Sequence, residues 1–277
     1  MKTSQLLIIG IAHVLTLNSC ASTKNNQKIL NPDPPKTMYL TADSYLNKGQ
    51  FETAARKFEE LDRDHPYSIE ARRAIVMAAY SYFRAGQYPE AIATARRYTT
   101  LHPGTKYAAF AHHIIASSYF EEISGPKNDQ TNTRKALAEL KILKSRYPNS
   151  KYAMQSDNRI RIARDNLAAN EMEIGRYYLK RRSYTAAINR FKIVARDYQD
   201  TRHIEEALMR LTETYLALGI RDEAQNTAAL LGYNFPKSRW YKDAYDLLKY
   251  DGLAPKRDPK SWLSLVWKGI EPSPSKL

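Results

Sequence analysis

Ala78-Ala79-Tyr80-Ser81-Tyr82-Phe83-Arg84-Ala85-Gly86-Gln87-Tyr88 leads into Ala91, Ala95 and Tyr98, and the run closes on Pro103. The same pattern stands one step earlier, where Ala42, Tyr45, Ala54, Phe58 and Leu61 close on Pro66. Tyr45, Tyr82 and Tyr119 are spaced by 37 residues, and the same step separates Tyr178 from Tyr215. Ala54 to Ala91, Ala187 to Ala224, Pro66 to Pro103 and Gln199 to Pro236 repeat it. A fixed internal period of this size marks stacked repeats, whose product is an extended surface rather than one enclosed catalytic core.

Within a unit the marker residues fall at offsets of three, nine, four and three. Steps of three and four put side chains on one face of a helix. The step of nine crosses a turn, supplied by Asn47-Lys48-Gly49-Gln50 and Arg84-Ala85-Gly86-Gln87. Each unit is therefore a helix hairpin, ended by a proline that cannot donate to the preceding turn, except in the fourth, where Gln199 stands in its place. Ser68, Thr105, Ser150 and Ser238 each stand two residues after a proline or its equivalent and are expected to cap the next helix. Ala42, Ala79, Ala116 and Gly175 stand three before the repeat tyrosine, where helices must approach closely.

The third unit is stretched, with 17 residues from Tyr119 to Ala136 and a loop composition over Ser124-Gly125-Pro126-Lys127-Asn128-Asp129. A helical stripe of Ile160, Ala163 and Leu167 lengthens the join to the fourth. The order small residue, tyrosine, alanine, apolar, proline resembles the tetratricopeptide repeat. The expected fold is an all-α solenoid of about five hairpins, over 38–67, 70–104, 107–149, 168–201 and 205–237, within a domain 38–250. Residues 251–277 are expected to form a separate tail.

The first 19 residues read as an export signal: Lys2, then an apolar run from Leu6 to Leu17 too short to stay in a bilayer. Leu17-Asn18-Ser19-Cys20 resembles a bacterial lipobox, with Asn18 departing from its usual residue. Cys20 is the single cysteine, so no disulfide can form within the chain, and it is expected to carry acyl chains. Ala21 after it implies, by resemblance to bacterial lipoproteins, the outer membrane. Residues 20–37, polar and containing Pro32, Pro34 and Pro35, are expected to be a flexible tether.

The formal charge is +14. In cytosol that would suggest nucleic acid. Export removes that partner and leaves acidic protein surfaces or anionic headgroups. The densest basic run is Lys141, Lys144, Arg146, Lys151, Arg159, Arg161 and Arg164, continued by Arg176, Lys180, Arg181 and Arg182. No nucleophile elbow, phosphate loop, zinc-protease pair or paired-cysteine motif occurs, so no enzyme activity, metal or cofactor is expected. His65 and His102 read as helix C-terminal residues, and His112-His113 are adjacent and point to different faces. The carboxylates read as scattered, with no pocket to perturb them.

Four longer phrases carry a narrower resemblance: Ala55-Arg56-Lys57-Phe58-Glu59-Glu60-Leu61-Asp62-Arg63-Asp64-His65-Pro66-Tyr67-Ser68, the quoted run from Ala78 to Tyr88, Gly175-Arg176-Tyr177-Tyr178-Leu179-Lys180-Arg181 with Ala186 to Phe191, and Leu211-Thr212-Glu213-Thr214-Tyr215-Leu216-Ala217-Leu218-Gly219. In order, they resemble the BamD family of outer-membrane lipoproteins, from Tyr39 to about Leu248. That resemblance implies a scaffold on the periplasmic face of the outer membrane. Its implied partners are the periplasmic domains of the barrel-forming subunit BamA, other lipoproteins of the assembly complex, and C-terminal segments of unfolded outer-membrane proteins. The later repeats would meet BamA, through Arg176, Lys180 and Arg190. The first helices of repeats one to three would line a substrate groove with Tyr39, Arg73, Tyr80, Phe83, Arg84, His113 and Phe120. A competing expectation is a periplasmic repeat lipoprotein of peptidoglycan, cell division or DNA uptake.

Overall fold

The computed structural model describes residues 32–267. Its helices pair as the period requires: α1 (Pro35–Asn47) with α2 (Phe51–Asp64), α3 (Ile69–Arg84) with α4 (Tyr88–Leu101), and α5 (Ala108–Glu121) with α6 (Thr131–Arg146). After the short α7 (Lys151–Met154) come α8 (Ser156–Lys180) with α9 (Tyr184–Asp197), and α10 (Ile204–Ala217) with α11 (Arg221–Asn234). α12 (Arg239–Tyr250) and α13 (Trp262–Val266) follow. No strand occurs among the described residues. The fold is an all-α tetratricopeptide-type solenoid of five hairpins with α12 packed on the last.

The marker residues are the core. Ala42, Ala54, Phe58 and Leu61 are fully buried, as are Ala79, Ala91, Ala95 and Tyr98. First helices of neighbouring units meet, α1 with α3, α3 with α5 and α10 with α12, while second helices such as α2 and α4 stand further apart. The first helices thus line the inner face.

The turns and caps show where the pattern bends. Ser68, Ser150 and Ser238 accept from Ala71, Ala153 and Trp240 N–H at 2.9, 3.1 and 3.1 Å. Thr105 does not cap: α5 starts later, at Ala108, and the Thr105 hydroxyl instead meets Tyr98 Oη at 2.7 Å and the His102 carbonyl at 3.0 Å. Gly49, Gly86 and Gly219 take the left-handed conformation that ends the first helix of units one, two and five, at φ of 74°, 75° and 74°. In unit four that conformation falls on Arg182, at φ 57°. An L-residue there costs roughly 1–2 kcal/mol. Arg182→Gly is therefore expected to stabilise the fold by about 1 kcal/mol after glycine's greater loss of chain entropy. A urea midpoint that stays put or falls would show that the Arg182 side chain holds the turn.

Three expected boundaries shift. α1 begins at Pro35, whose fixed φ suits the first helical turn, so the end of the expected tether is already helix. The join to the fourth unit and that unit's first helix are one 25-residue helix, α8, rather than a helix starting near 168. Its middle turns hold the loop of the stretched third unit: Asn166 donates to the Ser124 carbonyl at 3.2 Å, and Asn170 to that of Pro126 at 2.6 Å. The expected separate tail, as far as Trp267, turns back onto the last hairpins. Leu263 is fully buried and Trp267 nearly so, in one cluster with Phe191, Leu208 and Leu231. Trp262 Nε1 donates to Tyr215 Oη at 3.1 Å, and Ser261 to Glu223 at 2.8 Å.

Candidate functional site

On the inner face of units two and three, rings from two first helices, α3 and α5, and from α7 come together. Tyr80 on α3 lies 5.6 Å from Phe110 on α5. Phe110 stacks on Tyr152 of α7 at 5.3 Å and 20°, and Tyr152 on His113 at 4.7 Å and 27°. Burial first, then the charges of Arg159 and Lys151, push the His113 imidazole down to about 4, so it is a neutral aromatic surface at ordinary pH. Arg84 donates to Tyr80 Oη at 2.8 Å and covers Phe51 at 4.6 Å. Arg159, reaching in from α8, lies 5.3 Å over Phe120 and donates to Ser117 Oγ. Beside it His113, Tyr152, Gln155 and Arg159 border a cleft of about 230 Å³.

Of the groove residues expected from the sequence, Tyr80, Arg84 and His113 share this patch. Phe120 sits under Arg159 and Phe83 packs on Tyr88 at 5.9 Å. Tyr39 is a core ring, 7% exposed, against Phe58 at 5.3 Å, with the Arg73 guanidinium 4.7 Å over it. Burial drives its hydroxyl up to about 12. Sequence reasoning passed over Phe110 and Tyr152, and placed Arg159 in the basic run without assigning it to the groove. Phe110 had a signal: it stands nine before Tyr119, as Arg73 stands nine before Tyr82. Tyr152 and Arg159 lie in the join, outside the repeat register, and had none.

The second face belongs to units four and five. Arg176 bridges Glu173 at 2.7 Å and Glu206 of α10 at 2.9 Å. Its hydrogen bond holds the Glu173 carboxyl below the usual range. Arg176 and the exposed Lys180 line one cavity of about 370 Å³. Arg190 does not join them: it comes from α9 and pairs with Glu171 at 3.1 Å.

Among the described residues one carboxylate is buried. Glu139 on α6 is 5% exposed, with Oε1 3.0 Å from Arg96 of α4 and Oε2 3.0 Å from His112 Nδ1 of α5. It ties the second and third units together inside the core. Among the described residues no group of His, Cys, Asp or Glu could hold a metal, and no helix is long and apolar enough to cross a membrane. Cys20 and the segment before it lie outside the described residues.

A family model, YfiO, described as outer membrane lipoprotein, matches residues 31–231. The chain belongs to the YfiO family. The match spans α1 through most of α11, so it covers both faces and ends before the returning tail. The chain is 42% identical over 255 residues to the outer membrane protein assembly factor BamD of Caulobacter vibrioides, covering 91% of this chain and 84% of that one. It is 40% identical over 246 residues to the same factor of Rickettsia prowazekii, covering 89% and 96%. The factor of Neisseria meningitidis serogroup A is 30% identical over 252 residues, covering 86% and 94%. Among solved structures, a thermophilic TPR protein of Thermus thermophilus is 16% identical, covers 76% of this chain and 98% of its own, and has a TM-score of 0.35. That likeness adds nothing to the helix order already given.

Proposed function

We propose that this YfiO-family chain is a lipid-anchored scaffold for outer-membrane protein assembly, held at the periplasmic face of the outer membrane through Cys20. The observation that carries the reading is the 42% identity, over nearly the whole chain, to a protein named outer membrane protein assembly factor BamD. Units four and five dock acidic surface on the periplasmic domains of BamA, with Arg190 and the basic cavity facing it. Units one to three receive C-terminal segments of unfolded barrel proteins on the Tyr80–Phe110–Tyr152–His113 rings.

The chemistry supports that division. A barrel strand that ends in an aromatic residue offers alternating rings and a terminal carboxylate. The stacked rings give the former a partner worth about 0.5–1.5 kcal/mol per contact beyond burial. Arg84 and Arg159 at the patch offer the carboxylate a two-pronged donor.

Peptides ending in phenylalanine are expected to bind the full-length protein, and Tyr80→Ala with Phe110→Ala to weaken them about tenfold or more. Helical content should persist, since both rings are only partly buried. Retained affinity in the folded double variant would remove the substrate role from this patch. Intact mass of membrane-extracted protein should show diacylglycerol on Cys20; a chain unmodified there would end the anchor reading.

A further inference from the structure

The unit-four turn is built by the same bonds as its counterparts. Arg182 N–H donates to the Leu179 carbonyl at 2.9 Å and Ser183 N–H to that of Tyr178 at 3.0 Å, as Gly86 and Gln87 donate to Phe83 and Tyr82 at 3.1 and 2.9 Å. Three units place glycine at the left-handed position, and only the fourth places a long cationic side chain there, at φ 57°. The turn does not require that side chain, and the backbone is strained by it.

The Arg182 side chain borders the cavity of about 370 Å³ between α8, the turn and α10. Its deeper cations are neutralised from within: Arg176 by Glu173 and Glu206, and Arg210 by Glu213 at 2.8 Å and Glu206 at 3.5 Å. Even so, Arg210 Nε is buried without a hydrogen-bond acceptor. Lys180 and Arg182 are exposed and form no ion pair among the described residues. Leu179, Tyr184 and Ala217 give the same cavity an apolar wall. Its size falls within that of ordinary ligand pockets.

We propose that this cavity is a docking pocket for an acidic segment of a partner protein. A glutamate or aspartate carboxylate would meet Arg182 and Lys180 at the mouth, and a neighbouring apolar side chain would lie against Leu179 and Tyr184. Charge complementarity selects the occupant: the two exposed cations that form no ion pair stand at the mouth, where an incoming carboxylate would reach them first. The inference rests on the reading that units four and five dock a partner, and adds where one acidic group enters and what it touches.

The test uses the full-length protein in detergent and a labelled peptide alternating glutamate and leucine, with a lysine–leucine peptide as control. The glutamate peptide should bind in a salt-sensitive manner and the control should not. Arg182→Gly should lower its affinity about tenfold while raising the urea midpoint, and Arg182→Lys should keep most of the binding. A purely structural Arg182 predicts the rise in midpoint with unchanged affinity, and that result overturns the pocket, as does failure of the glutamate peptide to bind the natural chain. BamA periplasmic domains are measured on the same proteins. Domains that ignore the natural chain, with peptide binding still dependent on Arg182, sink the docking reading and leave the pocket standing. Domains that bind the natural chain, with the peptide indifferent to Arg182, do the reverse. Inorganic phosphate that displaces the peptide as well as free glutamate peptide does would mark a general anion site and overturn the choice of an acidic segment.

Discussion

Phe191→Ala is expected to cost about 3–5 kcal/mol of stability, read as a fall in the urea midpoint at unchanged slope. The ring is fully buried on α9 in the cluster that joins units four and five to the returning tail. It lies where the side chain of residue 175 would be: a Cβ added to Gly175 would come 2.4 Å from Phe191 Cε1 and 2.8 Å from Cδ1 and Cζ. Alanine is the better helix former by about 1 kcal/mol, so helix propensity favours Gly175→Ala. Overpacking against a ring with nowhere to go opposes it by about 1–3 kcal/mol. The net effect should be destabilising in the natural chain and stabilising in the Phe191→Ala background. That change of sign is the coupling a double-mutant cycle reads. If Gly175→Ala costs the same in both, the ring is not the reason for the glycine.

The second large effect is at Glu139. Glu139→Ala should cost about 2–3 kcal/mol, because it leaves the His112 imidazole buried without its partner. Arg96 contributes less to that loss, since its side chain is 51% exposed and water can replace the carboxylate. Glu139→Gln keeps an oxygen for His112 and should recover about half of the loss. Thermal unfolding of the three chains checks the order. Equal losses for alanine and glutamine would place the stabilisation in the charge on Arg96 and not in the His112 hydrogen bond.

The hairpins were legible because the same physical demand recurs every 37 residues. Small residues at Ala42, Ala79 and Ala116 admit a neighbouring helix, and Gly49 and Gly86 admit the left-handed turn. Such demands are local and repeat, so periodicity exposes them. Ser68, Ser150 and Ser238 cap as the spacing implies, because an N-cap depends on the nearest four residues. Thr105 fails the same rule because Tyr98, seven residues back and fully buried, competes for its hydroxyl.

What the sequence by itself determined is the all-α repeat fold, the register of its core and, through the ordered phrases, the family. The tertiary structure alone decided three things. It fused the join to the fourth unit into α8, which brings Arg159 over Phe120 and Asn166 to the loop of the stretched unit. It returned the tail to the core, where a fully buried Leu263 has no periodic neighbour to announce it. It gathered Tyr80, Phe110, His113 and Tyr152 into one patch while keeping Arg190 out of the basic cavity. The reason is common to all three. A repeat period reports contacts that recur at fixed separation, whereas these contacts occur once, between segments whose meeting depends on how the whole array is stacked.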